Sequence, residues 1–182
     1  LPDDTEGLIL YGGYPELFAA QLEENSSLRM EIRNRCGRER LPLLAECGGF
    51  MYLHDRMADQ EGRLVQGVGL ISRHAYKTEK LGRFGYIQLT RQKEDFFGEA
   101  WEKVQGTAEL TAHEFHYFDS TNPGAGFLAR KPAGNRSWMC IHGTDTMLAG
   151  FPHFYYYGNP ALAECFLRKC LDYRRRKEAG FL

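Results

Sequence analysis

Cys47 stands in LPLLAECGGFMYL (41–53), where a buried-strand pattern runs directly into an apolar helix start. A cysteine at that point suits a nucleophile. At a strand-to-helix elbow the side chain sits in strained backbone geometry, and the residues two positions away on each side must be small. Here they are Ala45 and Gly49. The following helix points its first N–H groups and positive dipole end at the sulfur, which favours thiolate. The Gly48 amide is also placed to hydrogen-bond an oxyanion. Free cysteine is equally at home as a small buried hydrophobe, so the elbow alone leaves both readings open.

A thiol nucleophile needs a base, and His54, His74, His113, His116, His142 and His153 are the candidates. His153 lies in AGFPHFY (149–155), at the end of an apolar strand pattern and far from Cys47 in sequence. Such separation is normal for nucleophile–base pairs, which meet only in the fold. Gly12-Gly13 follows the first strand and offers a second unhindered amide at a sheet's carboxyl edge, where open α/β folds bind ligands. Other patterns carry less. His113 and His116 are spaced i, i+3 on a strand and so face opposite sides, which excludes a shared metal. Cys140-x-His142 supplies two ligands of one face, too few for a site, so no metal is expected. Arg73, Lys80 and Arg83 have the charge to meet a substrate carboxylate, although surface charge is their default reading. Arg174 to Lys177 reads as a solvated helix end, Cys165 and Cys170 as core, and Cys36 has no visible partner.

The elements that must position these residues alternate strand and helix through the first half. Gly7–Tyr11 reads as a buried strand and Glu16–Leu28 as a helix opened by Pro15. A second helix spans about Ser27–Arg35, a strand Pro42–Glu46, and a helix Gly48 to about Met57. Short apolar strands alternating with helices predict a parallel sheet covered on both faces. From Gly67 onward the character changes. Strands are expected at 67–71, 84–90, 109–118, 126–130, 138–142 and 147–157, as an antiparallel extension, before a final helix from Asn159-Pro160 to about Lys177.

Composition narrows the function classes. At 182 residues the chain forms one domain with a sizeable core, and its 43% hydrophobic and 26% charged residues are ordinary for a globular protein. A net charge of −1 gives no electrostatic footprint for nucleic acid or an anionic membrane. No apolar run has the length of a membrane span. Five unevenly spaced cysteines without a CxxC pair favour a reducing cytoplasm over a disulfide framework.

Four stretches, LILYGGYPEL (8–17), LPLLAECGGFMYL, TAHEFHYF (111–118) and MLAGFPHFYYYGNPALAECF (147–166), together resemble, in order and spacing, the class I (triad-type) glutamine amidotransferase domain of the cobyrinic acid a,c-diamide synthase and cobyric acid synthase family. The resemblance spans nearly the whole chain, 1–182. It implies a three-layer, doubly wound, flavodoxin-like fold with an antiparallel extension. It implies that Cys47 attacks the glutamine side-chain amide, that His153 activates the thiol and protonates departing ammonia, and that amides of the Gly12-Gly13 turn and Gly48 hold the oxyanion, with Gly13 and Gly48 at the matching positions. Glutamine is the substrate it implies, with no cofactor in this domain. ATP and magnesium are expected in an N-terminal synthetase domain that amidates a corrin or related tetrapyrrole in cobalamin biosynthesis, with a homodimer left open. Another cysteine hydrolase of the same architecture and a non-catalytic amidotransferase-derived binding module are the alternatives.

Three departures accompany the resemblance. Phe118 stands where the HEFHY signature usually ends in serine. Tyr155 stands where triad amidotransferases carry glutamate and cobyrinate synthases histidine, so something else must orient the His153 ring. The match begins after the first strand–helix unit of the family, and no GxxxxGK[ST] loop occurs in this chain.

Overall fold

Alternation along one short strand organises the molecule. In the computed structural model, which describes residues 1–98 and 110–181, the chain opens with β1 (Leu8–Leu10), a 3-10 turn at Pro15–Phe18, α1 (Ala19–Glu24) and α2 (Ser26–Gly37). Then follow β2 (Leu43–Glu46), α3 (Gly48–Tyr52), β3 (His54–Ala58), β4 (Leu64–Gln66), β5 (Ile71–Lys77) and β6 (Arg83–Arg91). The second half holds β7 (Leu110–His116), β8 (Phe118–Ser120), β9 (Phe127–Arg130), β10 (Ser137–Cys140), β11 (His142–Gly143), β12 (Met147–Gly150), β13 (His153–Phe154) and, next among the described residues, helix α4 (Ala161–Glu178).

Strands β1, β2 and β12 are parallel neighbours, and β11 closes that sheet antiparallel to β12. A second, antiparallel sheet runs β10-β9-β6-β7-β13, and a third runs β4-β3-β5-β8. Because successive side chains of a strand point to opposite faces, β2 sends Leu43 and Ala45 into a core with Ile32, Phe50 and Phe151. It sends Leu44 into a different core with Ile87, Phe127, Leu148, Phe154 and Phe166. The parallel sheet is therefore covered on both sides, with one core under the first helices and the other under the second sheet and α4. Glu46 falls on the Leu44 side, toward the second sheet.

The structure redraws several expected elements. The first helical stretch breaks at Asn25, whose side chain accepts a hydrogen bond from Leu28 N–H (3.2 Å) and caps α2. The helix expected to reach Met57 stops at Tyr52. His54–Ala58 instead pairs with β4 and β5, so long-range partners override the apolar spacing at 50–53 and 57. Residues 67–70 form no strand: Val68, Gly69 and Leu70 donate their N–H groups to the carbonyls of Tyr52, His54 and Leu53. The expected strand 138–142 is cut at Ile141, which has φ 66° and carries the chain from the second sheet to the first. The strand expected over 147–157 is likewise two strands in different sheets, divided at Phe151-Pro152. Glu109, the expected start of the HEFHY strand, lies outside the described residues.

Candidate active site

Cys47 sits at the carboxyl end of β2, between β1 and β12, and its N–H donates to Gly150 O at 2.9 Å. Its backbone has φ 49° and ψ −106°, a combination that costs a non-glycine residue about 1–3 kcal/mol. The next residues are already helical, and Met51 N–H reaches Cys47 O at 2.9 Å. This abrupt start is possible because Gly49 has no Cβ: one placed there would lie 2.0 Å from Leu10 O. The Gly12-Gly13 loop folds over the same point. A Cβ on Gly48 would lie 2.8 Å from Gly13 O, and one on Gly12 would lie 2.6 Å from His153 Cε1. The structure thus brings Gly12, Gly13, Cys47, Gly48 and His153 to one edge of the parallel sheet.

His153 arrives from the other side of the molecule. After β12, Phe151-Pro152 carries the chain out of the parallel sheet, and β13 joins the second sheet with His153 opposite His113 of β7. The imidazole is then fixed by a group that the sequence reading did not single out. Its Nδ1–H donates to Glu46 Oε2 at 3.1 Å. The other carboxylate oxygen, Oε1, accepts from Tyr156 O–H at 2.5 Å and from Phe154 N–H at 3.4 Å. Glu46 is only 3% exposed. With Nδ1 committed to the carboxylate, Nε2 is left to face the sulfur. Pairing with Cys47, followed by the hydrogen bond to Glu46, overcomes burial and raises the imidazole pKa to about 10. The imidazolium is therefore the favoured form of His153 at neutral pH. Tyr155, two residues beyond His153, is 59% exposed and packs against Gly158. A detectable signal for Glu46 existed, namely an acidic residue ending an otherwise apolar buried strand, one position before the cysteine.

A cleft of about 330 Å³ opens over Cys47 and His153, lined also by Gly12, Gly13, Tyr14, Glu16, Met51 and the segment His113–Phe118 other than Glu114. Glu16 is its acidic side chain, and partial burial raises that carboxyl above the ordinary range. In the HEFHYF segment His113 and Phe115 reach the cleft and the outer face. His116 is buried, donates its Nδ1–H to Phe118 O (2.6 Å), and stacks on Phe151 with centroids 4.1 Å apart. Phe118 is core.

The other candidates are elsewhere. His54 is buried, with Nδ1 at Phe50 O (3.0 Å) and Nε2 at Ser120 Oγ (2.7 Å), and burial lowers its pKa to about 4. His142 is bound to Asn122 O at 2.9 Å. Arg83 pairs with Asp119 and lies over Trp138, and neither it nor Arg73 nor Lys80 lines the cleft. Cys36, Cys140 and Cys165 are buried, and burial raises all three thiols, Cys36 to about 12. Among the described residues no three His, Cys, Asp or Glu side chains converge as a metal site, and no helix is long and apolar enough to cross a membrane.

Comparison with known proteins bears on this geometry. The profile of the CobB/CobQ-like glutamine amidotransferase domain matches residues 1–159. The cobyrinate a,c-diamide synthase of Caldanaerobacter subterraneus subsp. tengcongensis is 33% identical over 178 residues, which cover 97% of this chain and 38% of that protein. That of Leptospira interrogans is 35% identical over 173 residues, covering 92% and 37%. The chain thus spans well under half the length of these relatives. Among solved structures, a glutamine amidotransferase superposes with a TM-score of 0.55 at 16% identity, over 91% of this chain and 79% of that one. PurLQS from Thermotoga maritima gives 0.54 at 15%, over 94% and 81%. At such identities the likeness is one of fold, the class I glutamine amidotransferase fold.

Proposed function

Because the chain belongs to the CobB/CobQ-like glutamine amidotransferase domain family, we propose that it is the glutaminase half of an ATP-dependent amide synthase. The observation that carries this reading is the strained Cys47 paired with an imidazole whose pKa is raised by that same sulfur. The Cys47 thiolate attacks the side-chain amide carbon of glutamine bound in the cleft. The oxyanion of the tetrahedral intermediate is met by the N–H groups of Gly13 and Gly48. His153, as imidazolium, gives its Nε2 proton to the departing nitrogen, so ammonia leaves and a γ-glutamyl thioester remains. The neutral ring then takes a proton from water, which attacks the thioester and releases glutamate. Glu16 lines the cleft as the partner for the α-ammonium group of the substrate.

The relatives' length supports a second unit that consumes the ammonia. In our reading that unit is an N-terminal synthetase domain, which uses ATP and magnesium to activate carboxylates of cobyrinic acid or a related tetrapyrrole in cobalamin biosynthesis. Five free cysteines suit a reducing cytoplasm. The test is glutamine-dependent amidation by the intact protein and by Cys47→Ala. The variant is expected to release no glutamate from glutamine and to regain amidation when ammonium is supplied. Unchanged glutamate release would sink the mechanism, and His153→Ala should lose at least about a thousandfold in rate.

A further inference from the structure

We infer that Glu46 is the third member of the site, a positioning residue that orients and charges His153 from the position directly before the nucleophile, with Tyr156 holding the carboxylate in place. This rests on the glutaminase reading above and deepens it. Position 155, where the resemblance places the glutamate of triad amidotransferases, carries a tyrosine that is mostly in solvent. The carboxylate comes instead from β2. Alternation along that strand places Leu44 and Glu46 on the face toward the second sheet, and the sheet switch at Phe151-Pro152 delivers His153 to that same face.

The bonding leaves Glu46 little freedom. One oxygen accepts from the ring, and the other from Tyr156 O–H and Phe154 N–H, so both oxygens are engaged and the carboxylate cannot rotate away. A carboxylate accepts only, which commits Nδ1 as donor and turns Nε2 to the reacting side, where it gives a proton as imidazolium and takes one back as the neutral ring. The groups against the ring are Cys47 from the elbow and Glu46 from β2, with His113 of β7 opposite in the sheet and Tyr156 on the other oxygen of the carboxylate. Tyr11 of the glycine loop approaches Tyr156. Among these, Glu46 is the fixed negative charge, and Cys47 supplies the second when ionised. Tyr156 is held protonated, since burial, followed by the Glu46 charge, raises its pKa; it therefore remains a donor throughout the working range.

The test uses the intact protein with Glu46→Gln, Glu46→Asp and Tyr156→Phe. Glu46→Gln keeps shape and removes charge; kcat for glutamine hydrolysis should fall about 100-fold or more with KM within about threefold. The alkaline limb of kcat, and the titration of the His153 ring followed by NMR without glutamine, should both move down by about one pH unit or more, because the imidazolium loses its buried counter-charge. Glu46→Asp should restore the titration toward wild type, and Tyr156→Phe should cost about tenfold in kcat in the same direction. A Glu46→Gln protein with wild-type kcat and an unmoved ring titration overturns the inference. If that variant does not fold, an unmoved kcat and titration in Tyr156→Phe overturn it. A wild-type protein without glutaminase activity defeats the functional reading instead, while the ring titration still reports on Glu46.

Discussion

Replacing Cys47 by glycine should give a more stable protein than replacing it by alanine, the reverse of the usual order. Both variants lose the sulfur and its pairing with His153, so those terms cancel in the comparison. Both keep the backbone bonds from Cys47 N–H to Gly150 O and from Met51 N–H to Cys47 O, each 2.9 Å. What differs is the Cβ, which alanine must hold at φ 49° and ψ −106°. Relief of that strain is worth about 1–3 kcal/mol. Glycine gives back about 0.5–1 kcal/mol through the greater freedom of its unfolded chain. The balance favours glycine by about 1 kcal/mol, or roughly 2–4 °C of melting temperature in a domain of this size. Urea and thermal unfolding of the two variants under identical conditions measure the difference directly. Alanine more stable than glycine by the ordinary 0.5–1 kcal/mol, roughly, would mean that no strain is stored at the elbow. Strained backbone would then not be what holds the side chain of residue 47 at the elbow.

Two further outcomes are expected. Glu16→Gln removes the acidic side chain from the cleft over Cys47 and should raise KM for glutamine about tenfold while changing kcat little; an unchanged KM would remove Glu16 from substrate binding. Stability should fall in mild acid because of His54. Its folded pKa is depressed from 6.5 to about 4 by burial, so its contribution is fully present above about pH 6.5 and is lost as pH falls toward 4. At 1.36 kcal/mol per pH unit the whole loss is about 3 kcal/mol. Urea unfolding at pH 7 and pH 4.5 should show most of it, and His54→Gln should flatten that dependence; an equal pH dependence in the variant would assign the loss to other groups.

Apart from the break at Asn25, the first fifty residues were legible because their structure is local. Gly49 and Gly48 permit the elbow, Gly12-Gly13 permits the loop above it, and short apolar strands alternate with helices. Beyond Tyr52 the local signal misleads. Phe50, Met51, Tyr52, Leu53 and Met57 have helical spacing, yet His54–Ala58 is taken into a sheet by β4 and β5, partners that lie downstream. The same holds at Ile141 and at Phe151-Pro152. There, continuous apolar runs change sheets, and nothing in their composition says which sheet receives each half. Family resemblance could pair Cys47 with His153 across these breaks, but spacing alone could not.

Glu46 shows where the limit lies. Its neighbours in LPLLAEC identify a buried strand, and a buried carboxylate needs a partner or a proton. That much is readable from sequence. Which partner it has depends on two facts of topology. Strand alternation sends residue 46 to the Leu44 side, and the sheet switch after Gly150 brings His153 to that side. Had β13 continued in the parallel sheet, the same carboxylate would face a hydrophobic core without a donor, and the imidazole would lack a counter-charge. The route of the chain between Gly150 and His153 therefore sets the imidazole beside Cys47 and fixes its ring against Glu46.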